Sequence, residues 1–153
     1  MSPLLHFLTN APLVPAFVAW AVCQIWKGLL YGIRNHRWHI RYFLGSGGMP
    51  SSHTATVVAL AYFVAAKDGL ESTAFSVAMI LAIIVMYDAV GVRRETGKQS
   101  RIINLITDRT ANPEEAGSDK LNEIVGHSPA EVLAGALVGI AVGVLASLVF
   151  LHH

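Results

Sequence analysis

An all-α bundle of about four helices embedded in a membrane is the architecture this sequence predicts, and three observations carry it. Charged residues make up 14% of the 153-residue chain and hydrophobic residues 54%, whereas soluble domains carry about 25% charged residues. The apolar residues gather into four long runs. None of the runs alternates as a half-buried strand would, and backbone polar groups in lipid are best satisfied within helices.

The first run extends from about Ala11 to Ile33, broken only by Gln24 and Lys27. Before it, Met1 to Asn10 lacks the basic stretch and small-residue cleavage site of a secretory signal, so the chain is expected to be held by its own helices. The connection that follows carries Arg34, Arg37 and Arg41 with Trp38, Tyr42 and Phe43, a mixture that suits Asn35 to Phe43 to the membrane interface. The second run, about Ser51 to Ala66, is shorter than the roughly 20 residues a bilayer core of about 30 Å requires. It is therefore tilted, extended by its neighbours or packed inside the bundle. The third, Ser72 to Val92, holds one charge, Asp88. Asn104 to Gly126 is polar, contains Asn112-Pro113, and reads as a loop with a frayed helical extension before it. The fourth run, Val132 to Leu151, has no charged residue and full spanning length. Residues 1–153 read as a single domain, with the closing His152-His153 consistent with a tag remnant and given no function.

Basic residues fall in the first and third connections, the third with Arg93, Arg94, Lys98, Arg101, Arg109 and Lys120, while the second has only Lys67 beside Asp68 and Glu71. The positive-inside rule places both termini outside a bacterial cytoplasmic membrane and the basic connections in the cytoplasm. No basic tract with interleaved aromatics points to nucleic acid. The single Cys23 lies in an apolar run and offers neither a disulfide nor a metal site. His36 and His39 have no carboxylate nearby and read as interfacial polar residues, so no metal or other cofactor is expected. Gly135, Gly139 and Gly143 form a small-residue face that suits close helix packing, with a homo-oligomer left open.

With alternating helices, four groups of polar residues fall on one membrane face, and such convergence is a functional-site hypothesis. In Gly45-Ser46-Gly47-Gly48-Met49-Pro50-Ser51-Ser52-His53, glycines let a backbone approach an anion, serines add donors, and His53 can give a proton to a leaving oxygen. The same stretch reads equally well as a turn and helix cap. His127 and Glu131 stand four apart at a helix start and share a face, which suits a carboxylate orienting a nucleophilic imidazole. Ser128-Pro129-Ala130-Glu131 is also a capping box, which would occupy the same glutamate. Lys27 and Arg34, two turns apart, can hold phosphate or snorkel to the interface. Asp88 with Arg93, Arg94 and Lys98 is either an ion-pair network or a phosphate clamp.

These residues resemble the type 2 phosphatidic acid phosphatase and vanadium haloperoxidase (PAP2) superfamily, known by K-x6-R-P, P-S-G-H and S-R-x5-H-x3-D. The chain has Lys27-x6-Arg34, Pro50-Ser51-Ser52-His53 and His127-x3-Glu131 in that order. Gly47 to His53, Met86 to Arg94 with Gly97-Lys98-Gln99, and Gly126 to Val132 look more closely like the divergent PAP2 group of small bacterial membrane proteins. The resemblance implies a reduced PAP2-like core, with His127 as nucleophile on phosphorus, Glu131 as its orienting acid and His53 as proton donor. Lys27, Arg34, Ser51 and Ser52 would hold the phosphoryl oxygens. Asn35, Ser52 and Glu131 replace the family's proline, glycine and aspartate, and Leu121 stands where the third motif has arginine. Arg93 or Arg94, with Lys98 as a further candidate and Asp88 in support, would then supply the missing charge.

The implied activity is a phosphomonoesterase or pyrophosphatase on a lipid-linked phosphate, proceeding through a phosphohistidine without an obligatory metal. The alternative is a catalytically silent protein that binds or moves an anionic phospholipid or polyprenyl-phosphate headgroup. Halide oxidation is poorly supported, since haloperoxidases of this superfamily are soluble.

Overall fold

Local signals fix each helix end in the computed structural model, which describes residues 12–36, 40, 43, 48–110, 120, 121, 123 and 126–151. Helix α1 (Leu13–Asn35) follows Pro12 and keeps Pro15 in its first turn, where no amide donor is needed; it stops at His36, in the left-handed conformation with φ 51°. Helix α2 (Ser52–Asp68) is capped by Ser51, whose Oγ accepts the Thr54 amide at 3.4 Å, and closes at Gly69 with φ 86°. Helix α3 (Thr73–Val90) begins under Ser72, whose Oγ accepts the Phe75 amide at 3.1 Å. It ends at Gly91, and α4 (Val92–Thr110) starts at the next residue. Helix α5 (Pro129–Leu151) completes the chain. Among the described residues there is no strand.

Helix α2 is the axis of the bundle, packed against α1, α3 and α5. Ala55, Ala59 and Phe63 are fully enclosed, and Ala19, Cys23, Val138 and Val142 close around the alanines. The shortest apolar run is thus the one packed inside. At 17 residues it rises about 25 Å, and its neighbours cover its sides. Among the described residues three stretches are long and apolar enough to cross a membrane: Leu13–Asn35, Thr73–Arg109 taken through the Gly91 junction, and Pro129–Leu151. Their outward faces carry exposed Phe17, Ile25, Ile80, Ile84, Leu133 and Leu145, the pattern expected where lipid is the solvent.

The glycines of α5 explain the close approach of α2. A Cβ on Gly135 would lie 2.4 Å from the Ser51 carbonyl oxygen, and one on Gly139 2.7 Å from that of Ala55. On Gly143 it would meet the Tyr62 side chain at 2.9 Å. The small-residue face is consumed inside the bundle, against α2 of the same chain. At the far end Phe63 and Phe150 meet edge to face at 6.2 Å.

The polar third connection is more helical than the sequence suggested. The segment from Val92 to Thr110 is one helix, so Asn104 opens no loop. Its Gly97, Ser100 and Asn104 are buried, and Asn104 is the reason the next segment lies against it. The side chain of Asn104 accepts the Leu121 amide at 3.0 Å, and its Nδ2 donates to the Leu121 carbonyl and to Glu123 Oε1, both at 2.9 Å. Asp108 accepts from Lys120 Nζ at 2.9 Å; this hydrogen bond first, and the carboxylate's charge second, raises the Lys120 pKa above its ordinary value. Within the interfacial segment, Phe43 turns its ring onto Gly28 of α1, where no Cβ could fit. Trp38, His39 and Tyr42 lie outside the described residues, as do Gly45, Ser46, Gly47 and Asn112.

Candidate phosphate site at one end of the bundle

Two main-chain hydrogen bonds join the ends of three helices. The Ser51 amide donates to the Glu131 carbonyl at 3.0 Å, tying the start of α2 to the start of α5. The His127 amide donates to the Ala89 carbonyl at 2.9 Å, tying the residue before the α5 cap to the end of α3. Gly126 makes the second bond possible. With φ 89°, it lies so close to the Arg93–Arg94 backbone that a Cβ would sit 2.5 Å from the Arg94 nitrogen.

On this frame His127 is 5% exposed, and its Nδ1 lies 2.8 Å from Glu131 Oε2. The same oxygen accepts the Ser128 amide at 3.2 Å, while Ser128 Oγ accepts the Glu131 amide at 3.3 Å. The capping box and the histidine-orienting pair, read as competitors from sequence, therefore coexist on one carboxylate. A carboxylate at Nδ1 favours the tautomer with its proton on that nitrogen, leaving the Nε2 lone pair available.

His127 lines a cavity of about 220 Å³ with His53, Asp88, Arg93, Gly126, Ala89, Ile84 and Val85. Two imidazoles and one guanidinium thus share a space whose lining also includes the apolar Ile84, Val85 and Ala89. Arg93 Nε donates to Asp88 Oδ2 at 2.5 Å, so the ion pair foreseen as one reading of Asp88 forms and lies in the cavity wall. His53 lies within electrostatic range of Arg93, His127 and Lys27.

Lys27, 8% exposed, donates from Nζ to Ser52 Oγ at 3.2 Å and lies within electrostatic range of Glu131. Ser51 is wholly enclosed, its Oγ accepting from Thr54 Oγ1 at 3.0 Å as well as from the Thr54 amide. These three residues border the histidine pair without lining the cavity. The remaining candidates are not brought in. Arg34 is exposed in the last turn of α1, Arg94 is exposed beside Arg93, and Lys98 points into solvent with its Nζ 2.6 Å from Glu95.

Sequence reasoning missed Thr54, Gly126, Ala89 and Asn104. Gly126 alone left a signal, as a glycine directly before a site histidine. Leu121 is explained by Asn104, eleven residues beyond Arg93 and about 16 Å farther along α4 at about 1.5 Å per residue. Leu121 is 46% exposed and held there by its backbone. The position six residues before His127 is thus anchored well along α4, and the guanidinium in the cavity comes from the start of that helix.

The chain is 40% identical over 147 residues to a Bacillus subtilis (strain 168) protein described as uncharacterized membrane protein YuiD, covering 89% of this chain and 93% of the relative. No solved structure matches. Residues 8–142 match the divergent PAP2 family, and this membrane protein belongs to that family.

Proposed function

We propose that the protein is a phosphatase acting on a lipid-linked phosphate through a phosphohistidine at His127. The observation that carries the reading is the cavity in which His127, oriented by Glu131, shares walls with His53 and Arg93. Nε2 of His127 attacks phosphorus as the phosphorus–oxygen bond to the lipid breaks, and His53 gives its proton to the departing oxygen. In the second half, a water oxygen attacks phosphorus as the phosphorus–nitrogen bond breaks, His53 takes the water's proton, and inorganic phosphate leaves with His127 restored. Arg93 supplies the positive charge for the equatorial oxygens. Lys27 acts at one remove, through Ser52 and through its field on Glu131. Phosphate esters of diacylglycerol, of phosphatidylglycerol and of polyprenols all fit a site at the end of a lipid-facing bundle.

The test is phosphate release by purified protein in detergent from a panel of lipid phosphates, wild type against His127→Ala. Vanadate-sensitive release that vanishes in the mutant supports the phosphatase. No release from any lipid, with both proteins binding the headgroup equally, leaves the headgroup-binding reading. That second reading draws on one feature, Leu121 where the third motif has arginine, since binding a headgroup needs cations but no complete catalytic set.

The basic connections favour a cytoplasmic site with outer termini, in a bacterial cytoplasmic membrane. Labelling of Ala66→Cys and Asn112→Cys from either side tests this. Modification of Asn112→Cys only from outside would reverse the orientation.

A further inference from the structure

Helix α4 has two sides with different fates. Gly97, Ser100 and Asn104 recur at three- and four-residue spacing and are buried, Asn104 against the segment that leads to His127. At about 100° per residue, Leu105, Ile102, Ile106 and Ile103 form a contiguous arc directed away from that covered side. All four are exposed. Arg94 and Arg101, also exposed, fall just outside the Leu105 edge of the arc, and the exposed Lys98 and Arg109 fall within that edge, between Leu105 and Ile102. The helix as a whole carries five cations against two acids, and both acids are paired, Glu95 with Lys98 and Asp108 with Lys120.

The helix begins at Val92, directly after Gly91 at the end of α3, and within the Thr73–Arg109 stretch the apolar part is α3, whose one charge is Asp88, so the first turn of α4 starts where that apolar part ends. An apolar arc bordered by cations, at the level where a spanning segment ends, matches the chemistry of an anionic bilayer surface: acyl chains under the arc, headgroup phosphates beside the cations. The covered polar side then faces water, where Leu121 and Glu123 lie against Asn104.

We propose that α4 lies in the membrane–water interface, with Ile102, Ile103, Leu105 and Ile106 at the acyl boundary and Arg94, Lys98, Arg101 and Arg109 on anionic headgroups. The first turn of this helix carries Arg93, a wall of the cavity. Anionic lipid gathered along α4 is thereby concentrated at the cavity mouth, whether the site hydrolyses it or only holds it.

The test uses full-length protein with Cys23→Ala, carrying a single nitroxide at Ile102→Cys, Ile106→Cys or Asp108→Cys. The protein is reconstituted into phosphatidylcholine vesicles with and without phosphatidylglycerol. Accessibility to oxygen and to a water-soluble nickel chelate is read by electron paramagnetic resonance. Labels at 102 and 106 should favour oxygen and the label at 108 nickel, with the first two moving deeper when phosphatidylglycerol is present. Lys98→Gln with Arg101→Gln should abolish that movement while leaving the labels in the interface. Nickel access at 102 and 106 equal to that at 108 would overturn the proposal. So would shielding from both reagents, the mark of a second protein copy, or equal depth in the two vesicle types.

Discussion

Glu131 Oε2 stands 2.8 Å from His127 Nδ1 and 3.2 Å from the Ser128 amide, so one oxygen serves a catalytic candidate and a helix end together. Substitutions can separate the two duties. Glutamine keeps an acceptor for both partners but loses the charge that stabilises a cationic or phosphorylated imidazole. Glu131→Gln should therefore lower the rate of phosphate release by about 10²–10⁴-fold with little change in thermal unfolding. Glu131→Ala should lose the rate and, in addition, about 1 kcal/mol of stability. Rate and unfolding midpoint in the same detergent decide it; a Gln variant as active as wild type would remove Glu131 from the chemistry.

The Asp88–Arg93 pair makes a prediction of opposite sign for its two members. Arg93→Gln should weaken turnover by about 10²–10³-fold, the usual loss when one donor to a developing oxyanion is removed. Asp88→Asn frees the guanidinium for an incoming anion, so inorganic phosphate and vanadate should inhibit several-fold more strongly. Lys98→Gln, which removes an Nζ directed at Glu95 outside the cavity, should leave vanadate inhibition unchanged. Inhibition constants for vanadate across the three variants are the measurement.

Restoring the arginine of the third motif should not help. Leu121→Arg places a guanidinium beside Asn104, about 16 Å along α4 from Arg93, and should leave the rate within a factor of two or so of wild type. Asn104→Ala has the larger effect, because it unpairs the Leu121 amide and carbonyl together. Faster proteolytic cleavage after Thr110 would report the released segment. A large gain in rate from Leu121→Arg would contradict the placement of this segment.

The α5 glycines give a graded series. Alanine is intrinsically better in a helix by about 1 kcal/mol, but overpacking typically costs about 1–3 kcal/mol. Gly135→Ala drives its Cβ into the Ser51 carbonyl and should be the most destabilising. Gly139→Ala meets the Ala55 carbonyl and should follow; Gly143→Ala meets the Tyr62 side chain, which can shift, and should be mildest. Only Gly135→Ala should also cut activity, since Ser51 is bonded to Glu131. Thermal unfolding of the three proteins checks the order.

Much of the molecule is legible in its sequence because lipid burial leaves long unbroken apolar runs, and serine and glycine mark the helix ends. His53, His127 and Glu131 could be singled out because their spacing and order match the motifs of the family the chain resembles. Other features depend on contacts distant in sequence. Asn104 looks like the opening of a loop until its partner, 17 residues later, completes its hydrogen bonds. Arg93 and Arg94 are indistinguishable by type, and only the angular step between them puts one in the cavity. Lys98 and Arg34 are basic residues near a basic site, yet three-dimensional placement sends them elsewhere. The glycine face of α5 announces close packing but not its partner, which proves to be α2 in the same chain.

The stitches that hold the site, Ser51 to Glu131 and His127 to Ala89, run between peptide groups. Peptide groups are the same whatever side chain they carry, so the scaffold that spaces the histidines does not depend on which residues decorate it. A serine can stand where the resembled motif has glycine, and a glutamate where it has aspartate, without the register of the three helix ends slipping. Divergence at such positions rewrites the reagents while the jig that holds them stays set.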